Sequence, residues 1–275
     1  MASRPSPFLS AVLVIVLGVI RLPADDVPAN GANPPPLHVV HGYGLKGLAL
    51  WLEADHGVTA DAQGRVTKLV DRIGNFTLTP PGQGPMIVPK ALNGHAVFRF
   101  TGNESLYSPD GFSNVLDHAM TFVYVALGKA PPDGEDFPVY LGQNAQPGCN
   151  RSLPDYKGRL FFDGQFVGCY GEPVVRNVYQ MIGGSINRPR TLATFYRNDK
   201  KVLTAGRSPE NPTGTFQQLS DGVTLGAAPT NLYGWQGDIA EILVFDRELS
   251  PSEMQTLWTA LSAKYALKDQ PAASP

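Results

Sequence analysis

The stretch GDIAEILVFDRELS, residues 237–250, runs directly into PSEMQTLWTALSAKY, residues 251–265. Asp238 to Phe245 is nearly continuous in apolar residues, the pattern of a strand covered on both faces. Ser250 is a good N-cap, Pro251 fits the first helical position, and Glu253 completes a capping box. Met254, Leu257, Trp258, Leu261 and Tyr265 then recur at helical spacing, which predicts an amphipathic helix docking one face on a sheet.

Working outward, the rest of the chain reads as short apolar runs bounded by turn residues. Strands are predicted at Leu48–Ala54, Gly64–Val70, His95–Phe100, Thr121–Leu127, Pro138–Gly142, Tyr179–Ile186, Thr191–Arg197, Lys201–Thr204 and Val223–Leu225. Arg159–Phe162 and Gln165–Tyr170 flank Asp163-Gly164, a type I′ hairpin signal. The 29 Gly and 25 Pro suit a fold with many turns. The expectation is an all-β, two-sheet antiparallel sandwich with one C-terminal helix. It forms one domain over residues 45–268, behind a Pro/Gly-rich linker over 25–44 and before a disordered tail over 269–275.

The N-terminus reads as a signal peptide, residues 1–24. Arg4 precedes an apolar run from Phe8 to Ile20, too short for a span that needs about 20 residues. The expected location is secreted, periplasmic or in the cell envelope. Leu22 departs from the usual small residue before the cleavage site, so an uncleaved membrane anchor is the alternative. In an exported chain the two cysteines, Cys149 and Cys169, are a disulfide candidate. A bridge between them would stabilise by about 3 kcal/mol in the chain-entropy account.

Three segments carry a family resemblance. GLALWLEAD at 47–55 resembles the opening strand, and LNGHAVFRFTG at 92–102 a following strand, of laminin-G-like jelly-roll domains. These belong to the concanavalin A-like lectin/glucanase superfamily, here in its bacterial, exported form. GDIAEILVFDRELS, with the helix ending Lys264-Tyr265-Ala266-Leu267, is the most specific match. FYRNDKKV at 195–202 is similar to a family hairpin, with Asp199 where Gly is usual. The resemblance implies a jelly-roll sandwich that recognises a glycan or an extracellular protein, in some members with calcium. One fold hosts many functions, so it fixes no ligand.

The chemistry of hydrolysis leaves little trace. Laminarinase-type catalysis needs Glu-x-Asp with a further Glu on the same strand face, at a carboxylate separation of about 5 Å. Only Glu53 has Asp two residues on, at Asp55, and no Glu follows at 57 or 58. Asp246 and Glu248 also stand two apart, in the turn before the helix. The expectation is therefore a non-enzyme. Gly42-Tyr43-Gly44-Leu45-Lys46-Gly47 matches G-x-G-x-x-G but lacks the strand before and helix after that phosphate binding requires, and reads as a flexible lead-in. His38, His41, His56, His95 and His118 show no zinc spacing. Calcium would use acidic loops, of which Asp133-Gly134-Glu135-Asp136, Asp221-Gly222 and Asp110-Gly111 are present, each also ordinary turn chemistry. With a net charge of −2 and only the short basic run Arg197 to Lys201, nucleic acid is not an expected partner.

Glycan binding needs an exposed aromatic face beside amides or carboxylates. Asn231, Tyr233, Trp235 and Gln236 offer both in one Gly-containing loop, and are the predicted ligand-binding residues. The expected function is an exported, non-catalytic recognition module for carbohydrate or an envelope partner. A structural or adhesive surface protein is the alternative, and a glycoside hydrolase a more distant one.

Overall fold

The computed structural model describes residues 40–110, 119–129, 135–142, 151–152, 155–156, 159–162, 169–173, 175–187, 191–206, 222–228 and 233–267. The first strands are β1 (Val40–Gly42), β2 (Leu45–Glu53), β3 (Val58–Ala60), β4 (Val66–Val70), β5 (Thr77–Leu78) and β6 (Met86–Leu92). Next come β7 (His95–Thr101), β8 (Leu106–Ser108), β9 (Met120–Gly128), β10 (Glu135–Asp136), β11 (Val139–Leu141), β12 (Arg151–Ser152) and β13 (Asp155–Tyr156). Then follow β14 (Arg159–Phe162), β15 (Cys169–Pro173), β16 (Gln180–Ile186), β17 (Leu192–Arg197), β18 (Lys200–Gly206), β19 (Val223–Leu225) and β20 (Gln236–Phe245). The helix α1 (Pro251–Tyr265) comes after them.

The decisive strand, β20, lies inside the larger sheet, ordered β1-β2-β20-β9-β16-β17-β18. One edge of β20 pairs with β9 along its length. The other is shared: β7 takes Gln236–Ile239 and β2 takes Glu241–Phe245. β6 extends the sheet beyond β7. The opposing layer comprises β3-β4-β5, β12-β11-β19-β8 and β10-β13-β14-β15, all paired antiparallel. A bridge from Thr79 to Tyr107 joins the first two of these groups.

Two apolar clusters sandwich the larger sheet. Phe98, Phe122, Tyr124, Ile242 and Val244 face Leu69, Leu78, Leu106, Leu141 and Leu225 of the opposing layer. Val97, Val123, Val125, Leu243 and Phe245 face Met254, Leu257, Trp258, Leu261 and Tyr265. Both faces of β9 and β20 are therefore dry, which is why neither sequence alternates. The predicted helix forms with both halves of its capping box present. The chain is an antiparallel β-sandwich with a helix against its outer face.

Several expectations change. Part of the expected linker is structured: β1 pairs with β2 through a two-residue turn, with Tyr43 at φ 54 and Gly44 at φ 76. Both central residues take the positive φ of a type I′ hairpin, so G-x-G-x-x-G is a tight turn rather than a flexible lead-in. Asn93 (φ 47) and Gly94 (φ 82) make the same turn between β6 and β7. β6 escaped prediction because it contains Pro89, tolerated where the β6–β7 register shifts between Val88 and Leu92. Asp163-Gly164 and the first residues of the predicted strand after it, 165–168, lie outside the described residues; on either side of them Phe162 pairs with Cys169. Residues 1–24, 269–275 and Cys149, with its expected bridge to Cys169, lie outside the described residues.

Two stability tests follow from the helix. Leu257 is fully buried while Thr256 is exposed. Leu257→Ala is expected to cost about 2–5 kcal/mol in urea unfolding, and Thr256→Ala less than about 0.5 kcal/mol. The Glu253 carboxyl is held down to about 2 by the Arg247 side chain and the Ser250 amide, against an ordinary 4.5. Its contribution is thus complete above pH 4.5 and disappears as pH falls toward 2. Glu253→Gln is expected to lower stability at neutral pH and flatten the acid limb of a pH–stability profile.

Candidate functional site

The predicted 231–236 loop leads into β20 at one end of the sandwich. Tyr233 is 41% exposed and sits at φ 54. Its ring lies 5.8 Å from Phe137, which lies 5.4 Å from Tyr140. The Phe137 amide donates to the Tyr233 carbonyl at 3.1 Å, and Phe137 bridges to Gly234 in parallel. A Cβ at Gly234 would meet the Gly102 carbonyl oxygen at 2.0 Å, so glycine is required for this close approach. Gln236 is half-buried, its side chain lies against Gly102, and its backbone N–H donates to the Asp136 carboxylate at 3.4 Å.

Trp235 is corrected. It is 2% exposed, edge-on to Tyr124 at 6.3 Å, and belongs to the core between the layers. Gln236, the next residue, faces the other way along the extended segment and is half-buried. Asn231 lies outside the described residues. Of the predicted residues the structure brings Tyr233 and Gln236 to one rim and adds Phe137, which the sequence reading missed. An aromatic between an acidic loop and Pro138 was the available signal.

A second polar group lies under α1. Glu241 Oε1 accepts from Tyr43 at 2.7 Å and the Trp51 indole at 2.6 Å, and Oε2 from Lys264 at 2.8 Å and Tyr265 at 2.7 Å. The register shift between Ile239 and Glu241 puts Ala240 and Glu241 together on the helix side. Lys264 also donates to Glu53 at 2.6 Å, and Arg72 pairs with Glu53 while stacking over Trp51 at 4.1 Å. Burial, then the Glu241 charge, pushes the Tyr43 and Tyr265 hydroxyls well above their ordinary range, so both act as donors at any physiological pH. One ammonium thus bridges two carboxylates that are 5% and 1% exposed. The Glu-x-Asp motif divides here: Glu53 joins this group, while Asp55 binds His95 at 2.6 Å and the Ala96 amide at 2.8 Å.

Asp238, on the same strand, is gripped by Arg99 at 2.7 and 2.8 Å and by the Tyr179 hydroxyl at 2.5 Å. Burial raises its pKa, but these bonds outweigh burial and hold it below the usual range. Among the described residues no group of three His, Cys, Asp or Glu is placed to hold a metal. Of the acidic loops, Asp133, Gly134, Gly111 and Asp221 lie outside them. Asp136 is buried and Asp110 exposed.

No protein-family model matches the chain, and no curated protein matches its sequence. Solved structures do match in fold. Domain 4 of AbnA, a GH43 extracellular arabinanase from Geobacillus stearothermophilus, solved with arabinotriose, aligns at a TM-score of 0.54 and 16% identity, over 77% of this chain and 98% of that one. A botulinum neurotoxin type C structure, described as showing cell entry dependent on two ganglioside molecules, aligns at 0.54 and 13%, over 78% and 51%. Trypanosoma rangeli sialidase aligns at 0.53 and 15%, over 81% and 34%. The chain thus spans about a third of the sialidase and half of the neurotoxin chain. The fold is shared with enzymes and with binding domains alike.

Lys264→Met would leave two buried carboxylates facing each other. It is expected to cost about 3–5 kcal/mol in chemical denaturation, well beyond the loss of one exposed ion pair. An unchanged midpoint would show that the cluster contributes nothing net.

Proposed function

We propose that the chain is an exported, non-catalytic recognition module of the laminin-G-like type, and that it binds carbohydrate at the rim formed by Tyr233, Phe137 and Gln236. The carrying observation is the exposed Tyr233 ring, packed on Phe137 and held by the Phe137–Tyr233 backbone bond; the half-buried Gln236 side chain supplies the amide. A rigid aromatic face packs on the C–H face of a sugar ring, and the amide bonds its hydroxyls. The arabinotriose complex of the arabinanase domain supports the ligand class. The lack of a glucanase carboxylate motif supports a non-catalytic role, as does the sealing of Glu53 and Glu241 beneath α1. The apolar run from Phe8 to Ile20 supports export.

The test is calorimetric titration with plant, algal and host oligosaccharides, with and without calcium. Tyr233→Ala is expected to weaken binding about tenfold, the equivalent of about 1.4 kcal/mol for a lost stacking face. Affinity unchanged in that variant would remove the rim from consideration. A chain that binds no glycan would favour the adhesive reading.

A further inference from the structure

A row of hydroxyls crosses the outer face of the larger sheet. Ser185 pairs with Thr121 on one side and Thr194 on the other, and Thr194 pairs with Thr204. Residues directly opposite in antiparallel pairs share a face, so Thr121, Ser185, Thr194 and Thr204 form one polar track across four strands. Its inner end is occupied: Thr121 Oγ1 donates to the Arg247 carbonyl at 2.9 Å and accepts from the Leu249 amide at 3.0 Å. At its outer end Thr194 is half-buried and Thr204 exposed, and their hydroxyls bond each other at 3.2 Å. The buried Ser185 hydroxyl between them and Thr121 pairs with the Tyr196 side chain.

Above the outer half of this track runs a groove between the β17–β18 hairpin and the start of α1. It consists of two adjoining cavities of about 360 and 230 Å³ that share Tyr196, Lys201 and Pro251. Thr194 and Glu248 line the first, Asn198 and Asp199 the second. Lys201, Asp199 and Glu248 are exposed. Glu253, also on the wall, is already committed to Arg247 and Ser250.

The lining narrows the ligand class, and the test below separates a polyol from a cation. An anion meets three carboxylates against one ammonium, at a helix N-terminus that its own capping box already satisfies. An apolar ligand would strand the hydroxyls. A neutral polyol fits, because each of its hydroxyls both donates and accepts, which suits threonine hydroxyls, a carboxylate and an ammonium together.

We propose that this groove is a second carbohydrate site, binding a neutral saccharide through Thr194, Lys201 and Glu248 independently of the Tyr233 rim, so that the module is bivalent. The ligand class rests on the proposed function, but the site does not.

Amide NMR of the whole chain, titrated with neutral arabino-, xylo-, gluco- and manno-oligosaccharides, separates the two claims. Saturable shifts at Thr194, Tyr196, Lys201 and Ser250 are expected. They should persist in Tyr233→Ala and in about 1 M salt, where screening acts within about 3 Å. Lys201→Ala combined with Glu248→Gln should weaken that phase about tenfold or more, since both lost bonds are to charged groups. Shifts in the groove alone would sustain the groove site, dismiss the rim and overturn bivalency. Shifts confined to 233–236 would dismiss the groove and keep the rim. Shifts at neither place would overturn both. Groove shifts abolished by salt, or displaced by a polyamine, would show a cation site and overturn the saccharide assignment.

Discussion

A carboxylate has to be buried in the middle of β20, and the outer half of the molecule is arranged around it. Both faces of the strand are dry, so Glu241 reaches no bulk water. An ionised carboxylate in such a place is tolerated only when paired and fully hydrogen-bonded. Four donors meet it, from β1–β2, from β2 itself and from the last turn of α1. An apolar stripe alone lets a helix slide by a turn on a sheet. Four directional bonds to two oxygens admit one seat. The hydrophobic cluster under α1 therefore holds the helix on the sandwich, and Glu241 sets its position along the strand.

The same constraint explains what the sequence disclosed. The doubly covered β9 and β20 were legible because continuous apolar runs bounded by turns have few other readings. The helix was legible from its caps, where Ser250 and Glu253 leave a local signature that needs no tertiary context. The short strands β3, β5, β8, β10, β12 and β13 were not, since their pairing is decided by neighbours distant in the chain rather than by propensity. The β1–β2 hairpin hid in a Pro- and Gly-rich stretch, because a tyrosine at positive φ looks like no turn signal. Its hydroxyl is anchored on Glu241, a contact 198 residues away in sequence.

Site residues followed a harsher rule. Tyr233 and Trp235 are alike in sequence, two aromatics flanking a glycine, yet one lies at the surface and the other in the core. The difference is the backbone at Tyr233, whose positive φ breaks the extended run and separates its ring from the face that Trp235 takes, which no composition argument supplies. Phe137 and the hydroxyl track were invisible for another reason. Each is assembled across strands, Thr121 and Thr204 belonging to opposite ends of a four-strand row. Only register creates such a surface.

β20 pairs with β2 and β7, which precede it by well over a hundred residues, and with β9 between them. Loop closure over such separations makes assembly slow. Until the ribosome has delivered β20, three strands offer open edges and greasy faces to whatever is nearby. A nascent chain of this topology is a natural client for a holding chaperone, and its folding is a late event that begins in earnest when its central strand arrives.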